Sequence, residues 1–411
     1  MKRTLSTLVI LVALGALVCA QGGTKPAVPA GGNSMGPNGL TVPPQTPAPA
    51  VAWMDIAKTP PMGWNSWNKF GCNVSDTLIR EIADALVTSG MKNAGYQYVV
   101  IDDCWQVSRD AQGRIVPDPQ RFPNGMKALA DYVHAKGLKF GLYSDAGART
   151  CEGRPGSNGY EAVDAQQYAA WGVDYLKYDW CSSDGVDPKI AYATMRNALG
   201  ATGRPILFSM CEWGRNKPWE WARGVAHIWR STGDISDRWP SFTRLLDLQV
   251  DLWKFSGPGG WNDPDMLEVG NGGMTIAEYR AHFTMWAMLA APLIAGNDVR
   301  TMTPEIRAML THKEVVAIDQ DPLGKQARLI RKDGDYEVWA RRLQGGDWAI
   351  ALLNRGRDAH EIGVAWLELG MGATAAPKVR DVWAGSDLGA ITGLFAATVP
   401  SHDVVLVRIT P

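Results

Sequence analysis

The sequence predicts an α/β protein, a (β/α)8 TIM barrel followed by a C-terminal antiparallel β-sandwich domain. Three observations carry that prediction. From Met54 to about Asp321 the chain alternates amphipathic segments with short buried ones, the pattern of a repeated βα unit. Acidic residues recur at the carboxyl ends of the buried segments, where such a barrel gathers its chemistry. After about Lys325 the texture changes to short β-branched runs separated by turns.

Residues 1–20 read as a signal peptide. Lys2 and Arg3 precede the apolar run Leu8–Val18, and Val18-Cys19-Ala20 offers a small-residue cleavage site. A lipid anchor on Cys19 is disfavoured, because Val18 is larger than a lipoprotein signal usually accepts. Residues 21–52 read as a Pro/Gly-rich disordered linker: Gln21–Ala50 holds seven prolines and six glycines, with too little apolar surface to fold. The expected destination is therefore the periplasm or the exterior. No later stretch is apolar for long enough to span a membrane.

The barrel is assigned to residues 53–324. Ile79, Ile82, Ala83 and Leu86 at helical spacing predict a helix over Asp76–Met91, and Tyr98-Val99-Val100-Ile101 then reads as a buried strand. The cycle repeats. Strands are expected at Met62–Trp67, Tyr98–Asp103, Lys139–Asp145, Asp174–Asp179, Pro205–Glu212, Ile228–Arg230, Gly259–Asp263 and Pro292–Asn297.

The acids fall at the ends of these strands: Asp102 and Asp103, Asp145, Asp179 and Glu212, with Asp234 after the sixth strand and Asp263 and Asp265 at and after the seventh. So many carboxylates at one mouth suit either a divalent metal or a polyhydroxyl ligand. Lys177 and Arg230 in the same ring count against a metal, and the six histidines are scattered, so neither a metal nor another cofactor is expected. Side chains alternate faces along a strand, so Lys177 shares its face with Asp179, and its ammonium is expected to keep that acid ionised. With 41 basic and 42 acidic residues and no basic cluster, nucleic acid and anionic membranes are poor partners, and a small neutral ligand fits better. Eighteen tryptophans offer flat apolar faces that suit sugars, although most could equally be core.

The C-terminal domain is assigned to residues 325–411. Strands are expected at Ala327–Ile330, Tyr336–Arg341, Trp348–Asn354, Glu361–Ala365, Lys378–Trp383 and Val404–Ile409, with a turn at Asp333-Gly334. Its acids are not clustered, so it is expected to pack against the barrel and to carry no chemistry.

Six segments appear in order: Pro61-Met62-Gly63-Trp64-Asn65-Ser66-Trp67, Ile101-Asp102-Asp103-Cys104-Trp105, Leu176-Lys177-Tyr178-Asp179, Cys211-Glu212-Trp213, Trp229-Arg230 through Asp234-Ile235, and Gly259-Gly260-Trp261-Asn262-Asp263-Pro264-Asp265-Met266. On these the chain resembles the glycoside hydrolase family 27 α-galactosidases of the melibiase clan, from Thr59 to Pro411. The resemblance implies retaining hydrolysis of terminal α-galactosides, with Asp179 as nucleophile and Asp234 as acid/base; the expected substrate is an α-galactoside oligosaccharide or polysaccharide, with a glycolipid left open. Arg230, four residues before Asp234, would by itself be expected to lower the pKa of that acid. Substrate contacts are implied at Trp67, Asp102, Asp103, Tyr143, Cys151, Lys177, Glu212, Arg230, Asp265 and Met266. Asp102 and Asp103 would accept from the axial and primary hydroxyls, and Glu212 with Arg230 would hold the 2-hydroxyl.

Removing Cys19 leaves five cysteines, and spacing alone allows several pairings. The resemblance implies Cys72 with Cys104 and Cys151 with Cys181, leaving Cys211 as a buried thiol. Two alternatives differ in kind. One is a β-L-arabinopyranosidase on the same frame, for which a longer acid than Asp103 would be expected. The other is a catalytically inactive sugar-binding protein, which would be expected to lack Asp179 or Asp234.

Overall fold

The structure, a computed structural model, describes residues 55–411, so the expected signal peptide and linker lie outside the described residues. Eight parallel strands form one curled sheet: β1 (Met62–Asn65), β2 (Tyr98–Val100), β3 (Lys139–Asp145), β4 (Tyr175–Asp179), β5 (Leu207–Met210), β6 (Ile228–Arg230), β7 (Trp261–Asp263) and β8 (Leu293–Ala295). Their order is β8-β1-β2-β3-β4-β5-β6-β7. All eight fall where the hydrophobic pattern puts them, and four of them, β1, β2, β5 and β8, stop short of the expected carboxyl end, which leaves Asp102, Asp103 and Glu212 in loops. Between β7 and β8 the seam is a single parallel bridge from Leu267 to Ala295. There Leu267 N–H donates to the Ile294 carbonyl (2.8 Å) and Gly296 N–H to the Leu267 carbonyl (3.0 Å).

Alternation along the strands fills the barrel. Tyr98, Val100, Tyr175, Leu207, Ile228 and Trp261 pack with Ala57 and Ala290 as an apolar plug. Gly63 is small for this reason: a Cβ there would lie 2.6 Å from the Tyr98 carbonyl oxygen and 2.7 Å from Tyr98 Cβ. The opposite face of the same strands, including Val99, Leu176, Phe208 and Trp229, belongs to the larger core that the helices cover. Helix α1 (Asp76–Thr88) is typical. Ser75 accepts from Leu78 N–H at its start, and Leu78, Ile79, Ile82, Ala83 and Leu86 are buried. It ends three residues before the expected Met91, because Gly90 takes a left-handed conformation (φ 87°) and a separate turn begins at Met91. Helices α2 (Gly125–Ala135), α3 (Glu161–Trp171), α4 (Pro188–Ala201), α5 (Trp239–Asp247) and α6 (Ile276–Leu289) follow.

Beyond the barrel come β9 (Arg328–Asp333), β10 (Tyr336–Arg342), β11 (Trp348–Asn354), β12 (His360–Ala365), β13 (Lys378–Asp381), β14 (Ser386–Ala390), β15 (Leu394–Val399) and β16 (Asp403–Thr410). An antiparallel sheet ordered β9-β10-β11-β16-β13-β14 faces the pair β12–β15. Val338, Ile350, Leu352, Ile362, Val364, Trp366, Phe395 and Val407 form the core between them. The sequence pattern misses β14 and β15. All five residues of β14 are exposed, so no apolar alternation marks it, and β15 carries two adjacent alanines. The expected Asp333-Gly334 turn moves by one residue. Asp333 pairs with Tyr336, which leaves Gly334, at φ 58°, and Asp335 as the two loop residues.

Helix α6 joins the two domains and is buried on nearly every side. Arg280 pairs with Asp403, Trp383 Nε1–H donates to Thr284 Oγ1 (3.0 Å), and Arg341 Nη1–H donates to the Ala287 carbonyl (2.5 Å).

Candidate active site

The alternation that plugs the barrel floor also builds its mouth. On β4 the inward series runs Tyr175, Lys177, Asp179; on β6 it runs Ile228, Arg230; on β7 it runs Trp261, Asp263. Register sets Tyr143 beside Lys177 and Asp145 beside Asp179. Above this floor opens a cleft of about 700 Å³, lined by Trp67, Asp102, Asp103, Tyr143, Cys151, Lys177, Asp179, Arg230, Asp234, Asp265 and Met266. Of the implied substrate contacts Glu212 alone does not line it, and neither do the strand-end acids Asp145 and Asp263. The Glu212 side chain is fully buried, and Oε2 accepts from Asn216 N–H (2.8 Å) and Nδ2–H (2.6 Å), while Oε1 has no hydrogen-bond partner among the described residues.

Lys177 differs from expectation. Its Nζ donates to Asp102 Oδ2 at 2.8 Å, and the same oxygen accepts from Asn65 Nδ2–H at 2.7 Å. Among the described residues Asp179 accepts only from the Trp180 N–H, on Oδ1 (2.9 Å). Burial pushes the Asp179 carboxyl up to about 6, with Asp102 adding to the rise while Lys177 and Arg230 oppose it. The lysine restrains the shift without reversing it, because its charge is spent mainly on Asp102. Asp145 is fully buried next door. It accepts from Gly147 N–H (2.6 Å) and Cys181 N–H (2.8 Å), and burial first, then Asp179, raises it to about 8.

Arg230 organises the opposite wall. It meets Asp234 Oδ1 at 2.8 Å and Asp265 Oδ1 at 3.0 Å, and Nη1 lies 3.5 Å from the Cys211 thiol. Asp234 faces solvent, with 67% of its side chain exposed. Burial alone would raise it, but the charge and hydrogen bond of Arg230 bring it below the usual carboxylate range, as its spacing from Arg230 led us to expect. Asp265 goes the other way: burial raises it, against Arg230.

Loops hold the remaining cleft residues. Asp103 Oδ1 accepts from Cys104 N–H (2.6 Å) and Oδ2 from Glu152 N–H (2.9 Å). Disulfides join Cys72 to Cys104 and Cys151 to Cys181, while Cys211 is a buried free thiol. Tyr143 O–H points at Cys151 Sγ (3.3 Å). Cys104 (φ 78°), Trp213 (φ 58°) and Asp265 (φ 91°), each just beyond a strand end, are non-glycine residues in the left-handed region. Such strain persists where the surroundings hold a functional geometry.

Several lining residues carried no usable signal in the sequence. Trp213, Asp237, Glu268 and Asn271 come from loops without periodicity. Asn65 could have been found, since it lies two residues after inward-facing Gly63 on β1. Of the tryptophans, Trp67 and Trp213 line the cleft, whereas Trp64, Trp105, Trp229, Trp261, Trp286, Trp339 and Trp366 are core. Oxygen and sulfur atoms of Asp145, Asp179, Cys151 and Cys181 lie within 4.8 Å of one another, but the two sulfurs are bonded together and offer no thiolate to a metal.

Residues 59–321 match the family model described as alpha galactosidase A, and residues 333–409 match the alpha galactosidase C-terminal beta sandwich domain. Alpha-galactosidase A of Cellvibrio japonicus is 52% identical over 385 residues, covering 89% of this chain and 95% of that protein. Alpha-galactosidase 3 of Arabidopsis thaliana is 51% identical, covering 87% of this chain and 83% of that protein. The crystal structure of alpha-galactosidase I from Mortierella vinacea superposes with a TM-score of 0.84 at 40% identity, covering 86% of this chain and 97% of that one. With both domains matched and relatives aligned along nearly their whole length, this chain belongs to the melibiase family, the α-galactosidases of glycoside hydrolase family 27.

Proposed function

We propose that this chain is an exported, retaining exo-glycosidase that hydrolyses terminal α-D-galactosyl residues. The observation that carries the reading is the pairing of two carboxyl groups of different character in one cleft, Asp179 buried and Asp234 open to solvent. The names of the relatives supply the sugar.

In the first step Asp179 attacks the anomeric carbon while Asp234 gives its proton to the glycosidic oxygen. The bond to the aglycone breaks and a galactosyl ester forms. Asp234, now a carboxylate, takes a proton from water as the water oxygen attacks the same carbon, releasing galactose and Asp179. Two displacements retain the anomeric configuration, which calls for carboxyl groups about 5 to 5.5 Å apart. Asp234 starts with a lowered pKa, and a bound sugar corrects this by excluding water from its exposed face and by engaging Arg230. Asp102, Asp103 and Asp265 add negative charge around the positive charge that develops on the sugar ring. Trp67 and Met266 supply the apolar wall. Residues 1–20 direct export, residues 21–52 tether the folded part, and the sandwich of residues 325–411 buttresses the barrel of residues 53–324.

The test is hydrolysis of p-nitrophenyl α-galactoside beside p-nitrophenyl β-L-arabinopyranoside, with the first-formed anomer followed by NMR. The galactoside should be the better substrate and should give α-galactose first. Asp179→Asn should lower kcat on the order of 10⁴-fold or more while galactose still binds. Release of the β anomer first, or near wild-type turnover by Asp179→Asn, would refute the mechanism.

A further inference from the structure

We propose that Asn65 is a positioning residue that sets how strictly the cleft reads the sugar hydroxyl accepted by Asp102. This inference rests on the α-galactosidase activity proposed above, with Asp102 accepting from the axial hydroxyl. Asn65 does not line the cleft, whereas Trp67 and Asp102 do. Its amide lies between them. Oδ1 accepts from Trp67 N–H (2.8 Å) and Nδ2–H donates to Asp102 Oδ2 (2.7 Å), so one buried side chain ties the backbone of the tryptophan wall to the carboxylate. Only one orientation of the amide serves both partners, since the reverse would set oxygen against a carboxylate and N–H against N–H. The strand places it there. Side chains alternate along β1, so Gly63 and Asn65 share the inward face, and Asn65 pairs in register with Val100 at the end of β2, two residues before Asp102. Ser66 follows, accepting from Asp102 N–H on Oγ (3.0 Å) and donating its own N–H to the Val100 carbonyl (3.2 Å). Two consecutive residues thereby hold Asp102 by its side chain and by its main chain.

Counting acceptor positions gives the clamp its chemical meaning. A carboxylate offers about two on each oxygen. On Asp102 both positions of Oδ2 are taken, by Asn65 and by Lys177 Nζ (2.8 Å), while Oδ1 accepts from Asp103 N–H (2.9 Å). One position therefore remains, on Oδ1, for a hydroxyl of the ligand. Without Asn65 the carboxylate would be tied at Oδ2 by the lysine alone. An ammonium on a flexible stem is a point charge that leaves the plane of the carboxylate free to turn, whereas the planar amide fixes it. A carboxylate free to turn accepts over a wider arc and distinguishes less sharply between a sugar that presents a hydroxyl in one direction and a sugar that lacks it. Arg230 bonds to Asp234 and Asp265 on the opposite wall, so the contacts made there stand apart from this clamp.

The experiment measures kcat/KM for p-nitrophenyl α-galactoside and for its 4-deoxy and 2-deoxy analogues, in the wild type and in Asn65→Ala. The three share one leaving group, and comparing ratios between enzymes cancels the intrinsic reactivity of each sugar. Asn65→Ala should lower the galactoside-to-4-deoxy ratio by about tenfold, the worth of a hydrogen bond to a charged group, and leave the galactoside-to-2-deoxy ratio where it was. Asn65→Leu, which keeps the volume and lacks both polar atoms, should do the same and serves if the alanine variant does not fold. A loss shared equally by all three substrates would make Asn65 a purely structural residue and overturn the proposal, as would an unmoved 4-deoxy ratio. A wild type that does not prefer the galactoside to its 4-deoxy analogue would overturn the assignment of the axial hydroxyl to Asp102, and the proposal with it. Absence of galactoside hydrolysis by the wild type would overturn the activity itself, an outcome distinct from an unmoved ratio.

Discussion

Lys177 gives its ammonium to Asp102, 2.8 Å away on the neighbouring wall, and not to Asp179 two residues along its own strand. Both partners are nearly buried, so the pair is costly to break: removing one side of such a pair typically costs about 3 to 5 kcal/mol. Lys177→Met should therefore lower the denaturation midpoint sharply. It should also move the acidic limb of kcat/KM upward, since Lys177 opposes the rise in the Asp179 pKa. An unmoved limb would show that the lysine acts on structure alone.

Activity and stability should run in opposite directions with pH. As the proposed nucleophile, Asp179 would have to be ionised to attack, and its pKa is raised to about 6, so kcat/KM should fall about tenfold per unit below that value. Stability follows the opposite sign. Asp145 (about 8), Glu268 (about 7), Asp263 (about 6) and Asp179 are all raised by burial, so the folded state binds more protons than the unfolded chain across that range. Their contribution weakens as pH rises. Thermal unfolding should occur a few degrees higher at pH 5 than at pH 8; the reverse order would show that these carboxyls are ionised throughout.

Much of this was legible in the sequence, for identifiable reasons. Strands that are buried on both faces write themselves as apolar runs, so all eight barrel strands could be located before the structure was known. The same period of two puts Lys177, Asp179 and Arg230 at the mouth. What period two does not encode is where a long side chain ends. The reach of Lys177 to Asp102 crosses from β4 to the segment after β2, and the turning of Glu212 toward Asn216 depends on a loop conformation. Loop residues such as Asp237 and Asn271 have no period at all, and only the packing of two loops against each other reveals them.

The cleft disulfide should matter to both folding and binding. Cys151 and Cys181 are 30 residues apart in sequence, a closure worth about 3 to 4 kcal/mol in the unfolded-chain account. Cys151 also lines the cleft, and Cys181 N–H is held by Asp145. Changing both to serine should lower the melting temperature and raise KM for galactosides. Peptide mapping should find Cys211 unbridged in the wild type; a bridge to Cys211 would contradict the pairing.

Asp103 tests the shape of the pocket. Both of its oxygens are fixed by backbone N–H groups, so a longer acid cannot simply fold away. Asp103→Glu should shift the ratio of kcat/KM from α-galactoside toward β-L-arabinopyranoside by roughly 10- to 200-fold, the usual worth of one methylene in a pocket. The pentose carries only hydrogen where galactose has its hydroxymethyl group. Equal slowing of both substrates would make Asp103 a purely structural acid.

Helix α6 sets a limit on engineering a smaller enzyme from this chain. One of its faces is roofed by the sandwich, through Arg280 with Asp403 and Thr284 with Trp383, while Trp286 on the same helix donates to the backbone carbonyl of Asp265 at 2.7 Å. A gene truncated after the barrel would leave that helix with an uncovered apolar flank and would slacken the support beneath a cleft residue already in a left-handed conformation. The barrel and its sandwich are coupled through this helix, so shuffling the C-terminal domain between relatives would have to carry the facing residues of α6 along with it.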